Sequence, residues 1–340
     1  MERVLVTGAG GYIGTTLIPM LLDEGYHVQG IDRFFFGRHL LPEHDHLEIV
    51  KEDTRRLRPA HFEGVDHVVD LAALSNDPSG ELFPEATWEI NHESRVRTAK
   101  MARDAGVKRY IFPSSCSTYG FQDRDAFCSE DSPTNPLTTY AKANLKAEQD
   151  VLPLAGDDFC VVVLRQATGY GYSPRMRFDL AINGMTYGAW KNGKLPLMRD
   201  GSQWRPMVHV KDAAHALILM LKADPDEVSG EVFNVGSNGG NYQIGKLGEI
   251  VANILPNHVE IEWYGDPDHR SYRVSFDKIE QLGYKAQHAA EDGVREICKA
   301  LESGRVDKTA ETITIEWYKS LVQWHKIIKE VELYGEILEI

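Results

Sequence analysis

Residues 7–14 read Thr-Gly-Ala-Gly-Gly-Tyr-Ile-Gly and follow the short apolar run Val4-Leu5-Val6. A run of this kind can bind a pyrophosphate. The strand ends, glycines turn the chain tightly, and a helix opens with unpaired N–H groups facing the anion. Gly8 and Gly11 allow the backbone to approach the phosphates, and Gly14 allows the helix to lie against the strand. The expected cradle is Gly8, Gly10, Gly11, Tyr12, Ile13 and Gly14, with the helix starting at about Tyr12. Leu17, Ile18, Leu21 and Leu22 give that helix an apolar face. Asp32 stands eighteen residues beyond Gly14 and ends the stretch Val28-Gln29-Gly30-Ile31. A carboxylate there accepts hydrogen bonds from adenosine ribose hydroxyls and repels a 2′-phosphate, which favours NAD over NADP. Arg33, next in sequence, keeps NADP open.

These residues need a sheet to hold them. Strand-like runs at 3–7, 27–32, 47–50, 67–73, 109–115 and 160–167 alternate with helix-like stretches at 84–105 and 139–154. That alternation predicts an α/β fold with a doubly wound parallel (Rossmann) sheet. Beyond residue 168 the loops lengthen, and short strands at 206–210 and 232–235 appear among helices. This predicts a smaller C-terminal substrate lobe over the carboxyl ends of the strands, where such sheets bind their ligands. The expected division is an NAD-binding domain at 1–168, a mainly substrate-binding lobe at 169–312 with some segments returning to the first domain, and a helical tail at 313–340. The tail sets Trp317, Leu321, Trp324, Ile327, Ile328 and Val331 on one stripe, expected to pack on its own chain in preference to a second subunit.

A chain of 340 residues builds a core of this size without disulfides, and its four cysteines have no metal-like spacing. No metal site is expected. The net charge of −14 argues against nucleic acid as a partner. No apolar run is long enough for a membrane span, and the first residues enter a strand directly, so a signal peptide is not expected and the cytoplasm is the expected location.

Two further segments carry polar chemistry. Ser114-Ser115-Cys116-Ser117-Thr118-Tyr119-Gly120 follows the fifth strand, and Thr139-Tyr140-Ala141-Lys142-Ala143-Asn144 opens a helix. Others join them: Asp53 in Lys-Glu-Asp-Thr, Asp70-Leu71-Ala72-Ala73, Asn91, Leu164-Arg165-Gln166-Ala167-Thr168-Gly169-Tyr170-Gly171, Arg205-Pro206-Met207-Val208-His209 and Phe233-Asn234-Val235-Gly236. With the glycine run, these resemble the extended short-chain dehydrogenase/reductase superfamily, in its nucleotide-sugar epimerase/dehydratase branch, over roughly residues 1–300. The resemblance implies that Tyr140 takes a sugar hydroxyl proton while hydride passes to the nicotinamide, with Ser115 beside that hydroxyl. It also implies that Asp53, Thr54, Leu71, Ala72, Ala73, Asn91 and Ser114 border the cofactor. A nucleoside-diphosphate sugar is the implied partner. Ser75, Thr168, Arg175, Arg177, Arg205, Arg270 and Arg273 are its expected contacts, because arginine forks match phosphate oxygens. For each arginine, an ion pair with one of the many acids is the competing reading. A homodimer is also implied.

The chain departs from the pattern at one place. The family carries a lysine four residues after the tyrosine, which lowers the phenol pKa from its ordinary value near ~10. Here that position is Asn144. Asn144 can still bond ribose hydroxyls but has no charge to stabilise a phenolate. Lys142 and Lys146 point to other sides of the helix. Three readings stay open: activity with a less acidic Tyr140 helped by the nicotinamide charge, another group as base, or hydride chemistry lost or slowed. Cys116 is the natural second acid or base, against a small buried thiol at a strand end. Cys116-Ser117 offers no carboxylate, which disfavours a dehydratase. The resemblance thus implies an NAD-dependent epimerase working through a keto sugar. The alternatives are an NAD(P)-dependent ketoreductase or dehydrogenase, and a degenerate NAD- or sugar-binding protein.

Overall fold

Seven strands form the central sheet, and the inner ones are largely buried, as strands must be when both faces are covered, whereas the edge strand Leu47–Lys51 is not. The computed structural model describes residues 1–120, 122, 127–266, 271–333 and 335. Strand β1 (Arg3–Thr7) lies between β2 (His27–Asp32) and β4 (His67–Asp70). Strand β3 (Leu47–Lys51) flanks β2, and β5 (Arg109–Ser115) flanks β4. Cys160–Gln166 pairs with β5, and Glu231–Val235 closes the far edge. All these pairings are parallel. The chain runs outward from β1 to β3 and then crosses back to β4. The switch point therefore falls between β1 and β4, and a cleft opens at their carboxyl ends.

Strand alternation divides the core between the two faces. Val4 and Val6 meet Leu17, Ile18 and Leu21 of helix α1 (Gly14–Asp23), together with Leu217 of the Val210–Lys222 helix. Leu5, Tyr110 and Phe112 meet Ala99 and Ala102 of the Arg95–Asp104 helix and Val151 of the Thr139–Val151 helix. A separate apolar cluster, including Ile182, Leu195, Leu197, Leu247 and Val294, lies under the later part of the chain. Among the described residues no helix is long and apolar enough to cross a membrane.

Several elements differ from the sequence expectation. Helix α1 starts at Gly14, not Tyr12. The short strand expected among the helices of the lobe is Glu231–Val235, and it belongs to the main sheet. The fourth strand stops at Asp70, where the carboxylate accepts from the Thr7 and Tyr110 hydroxyls and the chain turns along the cleft. The stretch expected as one helix over 84–105 is interrupted. A helix over Pro84–Trp88 passes into a π-helical segment, Glu89–Ser94, and resumes as Arg95–Asp104. The wider π turn rotates the faces of the two α-helices relative to each other. The tail is helical over Thr314–Val331. Its first half packs on its own chain, with Trp317 Nε1 donating to the Phe35 carbonyl at 2.6 Å and Tyr318 set edge-on to Phe35. Its second half leaves Trp324, Ile327 and Val331 exposed.

Candidate active site

One cleft of about 990 Å³ runs along the carboxyl ends of the strands. Its first limb is the glycine turn. Gly8 has φ +67°, and a Cβ there would meet the Ala72 nitrogen at 2.8 Å. A Cβ on Gly14 would meet the Gly8 carbonyl oxygen at 2.4 Å. Only bare backbone fits at these two positions. Thr15 and Thr16 N–H are taken up by the Gly11 and Ile13 carbonyls, so it is the N–H groups just before them, at Tyr12, Ile13 and Gly14, that can face an anion.

Asp32 sits at the tip of β2 on the cleft wall. Its carboxylate accepts from the N–H of Gly10 at 3.1 Å and of Phe34 at 2.6 Å. Burial lifts its pKa above the usual carboxylate range, against the pull of those N–H groups. Arg33 turns onto Asp53 at 3.2 Å. Asp53 also takes Arg55 in a fork, with Nε at 3.0 Å and Nη2 at 2.8 Å. The Arg55 hydrogen bonds hold its carboxyl down to about 2. Thr54, Leu71, Ala72, Ala73, Ser75 and Ser114 also line this cleft.

The second limb is built on the Thr139–Val151 helix. Thr138 caps it, its Oγ1 accepting from Ala141 N–H at 3.2 Å, and Asp77 accepts from the same hydroxyl at 2.7 Å. This fixes Tyr140 in the first turn, facing the cleft. Ser115 shares the cleft wall with the Tyr140 phenol and favours its ionised form. Burial raises its pKa, and the Arg95 guanidinium is the largest opposing influence, ahead of Ser115. Ser117 and Thr168 share the wall.

Some expected residues stand elsewhere. Asn144 is buried and turned from the cleft. Its Nδ2 donates to the Tyr140 carbonyl at 2.9 Å, and its Oδ1 accepts from Arg95 Nη1 at 2.9 Å. It is therefore engaged within the fold and does not reach a ribose. Asn91 lies in the π-helical segment and exchanges two hydrogen bonds with the Leu74 backbone, at 2.9 and 3.0 Å, so it shapes the cleft edge from behind. Cys116 is a buried thiol 3.2 Å from the Arg165 carbonyl, and burial pushes its pKa well up. It is not placed to act as an acid or a base.

The arginines divide. Arg205 lines the cleft, its guanidinium 5.7 Å from the Tyr272 ring centre. Arg177 also lines it and forks onto Asp179, with Nη1 3.4 Å from Ser75 Oγ. Arg175 is placed at the dinucleotide end. Its N–H reaches Thr15 of α1 at 3.4 Å, and its guanidinium lies 3.7 Å from the Phe36 ring centre and donates to Thr314 at 2.9 Å. Its Nε and Nη1 are buried without a partner, and burial drags its pKa down to about 9. Arg273 stacks on Phe127 at 4.2 Å, off the cleft wall, and Arg270 lies outside the described residues.

Three features were not read from the sequence. Tyr318, Leu321 and His325 of the tail helix close one side of the cleft. Arg165 and Glu148 form a buried pair at 2.8 Å behind Ser114. Arg95 reaches Asn144. A signal existed for the last: Arg95 shares a helix stripe with buried Thr98, Ala99 and Ala102, so its side chain had to point inward.

Residues 4–236 match the model of the NAD dependent epimerase/dehydratase family. The chain is 29% identical over 259 residues to a protein named uncharacterized UDP-glucose epimerase YtcB of Bacillus subtilis (strain 168), covering 69% of this chain and 76% of that one. Among solved structures it is similar to MoeE5 in complex with UDP-glucuronic acid and NAD, with 27% identity and a TM-score of 0.78, over 89% of this chain and 100% of that one. It is also similar to DesIV, a dTDP-glucose 4,6-dehydratase of Streptomyces venezuelae with NAD bound, with 25% identity and a TM-score of 0.78, over 88% of this chain and 97% of that one.

Proposed function

We propose that this chain, which belongs to the NAD-dependent epimerase/dehydratase family, epimerises a nucleoside-diphosphate sugar through a transient keto sugar. The observation that carries this reading is the Tyr140 phenol. It is set in one cleft with Ser115, the Gly8–Gly14 turn and Arg205. NAD held by the glycine turn and Asp32 would supply a reversible hydride acceptor, which an epimerisation does not consume. The bare backbone at Gly8 and Gly14 and the Asp32 carboxylate fit a dinucleotide. Arg175, with two unpartnered nitrogens, fits its pyrophosphate. Arg33 is held by Asp53, away from the role that would favour a 2′-phosphate.

Tyr140 takes the proton of the sugar hydroxyl and gives it back after the keto sugar turns. Ser115, on the same wall, orients the sugar hydroxyl toward the phenol. Arg205 holds the diphosphate, and Arg177 with Ser75 borders the sugar. A dehydratase would need an acid beside Ser115 to expel a hydroxyl, and Ser117 occupies that stretch of the wall. UDP-hexoses are the first substrates to try, because MoeE5 is bound with UDP-glucuronic acid. The reading includes a cytoplasmic homodimer, checked by sedimentation. Replacing Tyr140 by Phe should lower kcat about 10²–10⁴-fold and leave nucleotide-sugar binding nearly unchanged. An unaltered kcat in Tyr140→Phe rejects the tyrosine mechanism.

A further inference from the structure

A buried guanidinium behind the cleft wall, bonded to the carbonyl of the cleft-lining Ala72, has no part in the steps above. Arg95 is 3% exposed and begins the helix that follows the π-helical segment. Its Nε and Nη2 donate to the Ala72 carbonyl at 3.3 and 3.1 Å, and Nη1 to the Pro113 carbonyl at 3.4 Å and to Asn144 Oδ1 at 2.9 Å. Its carbon Cζ lies 4.4 Å from the Phe112 ring centre. These partners are all neutral. Asp70 also lies on this side, but it accepts from the hydroxyls of Thr7 and Tyr110. A cation taken from water and given only neutral acceptors keeps a strong field in its low-dielectric surroundings. Asn144 connects that cation to the first turn of the Tyr140 helix, because its other end holds the Tyr140 carbonyl.

We propose that Arg95, positioned by Asn144, is the cation that favours ionisation of Tyr140, replacing a charge at position 144 by one supplied from the opposite helix. The proposal rests on the reading of Tyr140 as the proton acceptor. Arg95 is a positioning residue: it acts on the phenol through its field and through Asn144, without touching the sugar. Asn144 is then the required partner of Arg95, because a lysine in its place would set two cations together. The other charged groups that act on the phenol are Asp77, which opposes ionisation, and Arg177, which favours it from the sugar side. Arg177 is already forked onto Asp179, which weakens its contribution.

The test is the ionisation of Tyr140 in the full-length protein, followed by nuclear magnetic resonance of tyrosine labelled at the ζ-carbon. The Tyr140 signal is identified by its loss in Tyr140→Phe. In Arg95→Met the ionised fraction of Tyr140 at a given pH should fall about tenfold or more, a shift of at least one pKa unit. Arg95→Gln keeps a donor for Asn144 without the charge and should show the same fall, which guards against a misfolded Arg95→Met. Arg95→Lys should restore most of it, and the pair Arg95→Met with Asn144→Lys should recover the ionised fraction that Arg95→Met loses. A Tyr140 midpoint unmoved in both Arg95→Gln and Arg95→Met, whatever happens to thermal stability, overturns the proposal. The titration needs no turnover. A protein that converts no nucleotide sugar would sink the epimerase reading and leave this measurement to decide Arg95 separately.

Discussion

Tyr140 is a poor base by its burial and a better one by its neighbours. Burial raises its pKa, and Arg95 and then Ser115 oppose that rise. On the proposed mechanism the active form is the phenolate, so a raised pKa puts the rising limb of the rate on the alkaline side. We expect kcat/KM to climb as pH increases through neutrality, measured at saturating NAD. A profile flat through neutrality, where a phenol of ordinary pKa ~10 should still be gaining ionised form with pH, would point to another base. Gly14 permits no side chain, because its Cβ would lie 2.4 Å from the Gly8 oxygen. Gly14→Ala should weaken NAD binding at least about tenfold, a modest estimate for a displaced anion cradle, as read by calorimetric titration. The glycine turn and Asp32 were legible in the sequence because glycine and carboxylate chemistry at that spacing is local. The orientation of Cys116 was not legible. Which way a strand-end thiol points depends on Arg165, a strand away.

Helices position the site more than loops do. The expected continuous helix over 84–105 has the right residues, but its π-helical segment at Glu89–Ser94 turns Asn91 to Leu74 and Arg95 to Asn144. A periodicity reading assumes one pitch throughout, so this inward turn was hidden. The Thr139–Val151 helix is tied to the sheet by the buried ion pair of Glu148 and Arg165 at 2.8 Å, which also takes Ser114 and Tyr119. Removing one partner of a buried pair leaves the other uncompensated. Glu148→Ala should therefore cost about 3–5 kcal/mol in urea unfolding. A loss below about 1 kcal/mol, the value of an exposed pair, would mean that Arg165 finds other partners. The tail helix was expected as a stripe on its own chain. Its first half forms a wall of the cleft through Tyr318 and Leu321, a role no stripe could reveal.

At the scale of the whole molecule, the doubly wound sheet was readable because buried parallel strands are apolar runs whose neighbours alternate between two cores. A return of later segments to the first domain was expected, but not that Glu231–Val235 is the strand that joins the sheet edge, because pairing to Cys160–Gln166 is a long-range choice among similar short runs. The result is one cleft that joins a dinucleotide cradle, a tyrosine with its serine, and an arginine wall. Such a cleft suits a reaction in which hydride leaves and returns without exchange of cofactor. The most direct measurement incubates the protein with NAD and UDP-glucose, and separately with UDP-glucuronic acid, following epimer formation by proton magnetic resonance and NADH by absorbance in the same sample. An epimerase gives the second sugar at equilibrium with no net NADH. Accumulation of NADH in step with an oxidised sugar, or no conversion of either nucleotide sugar, would contradict it.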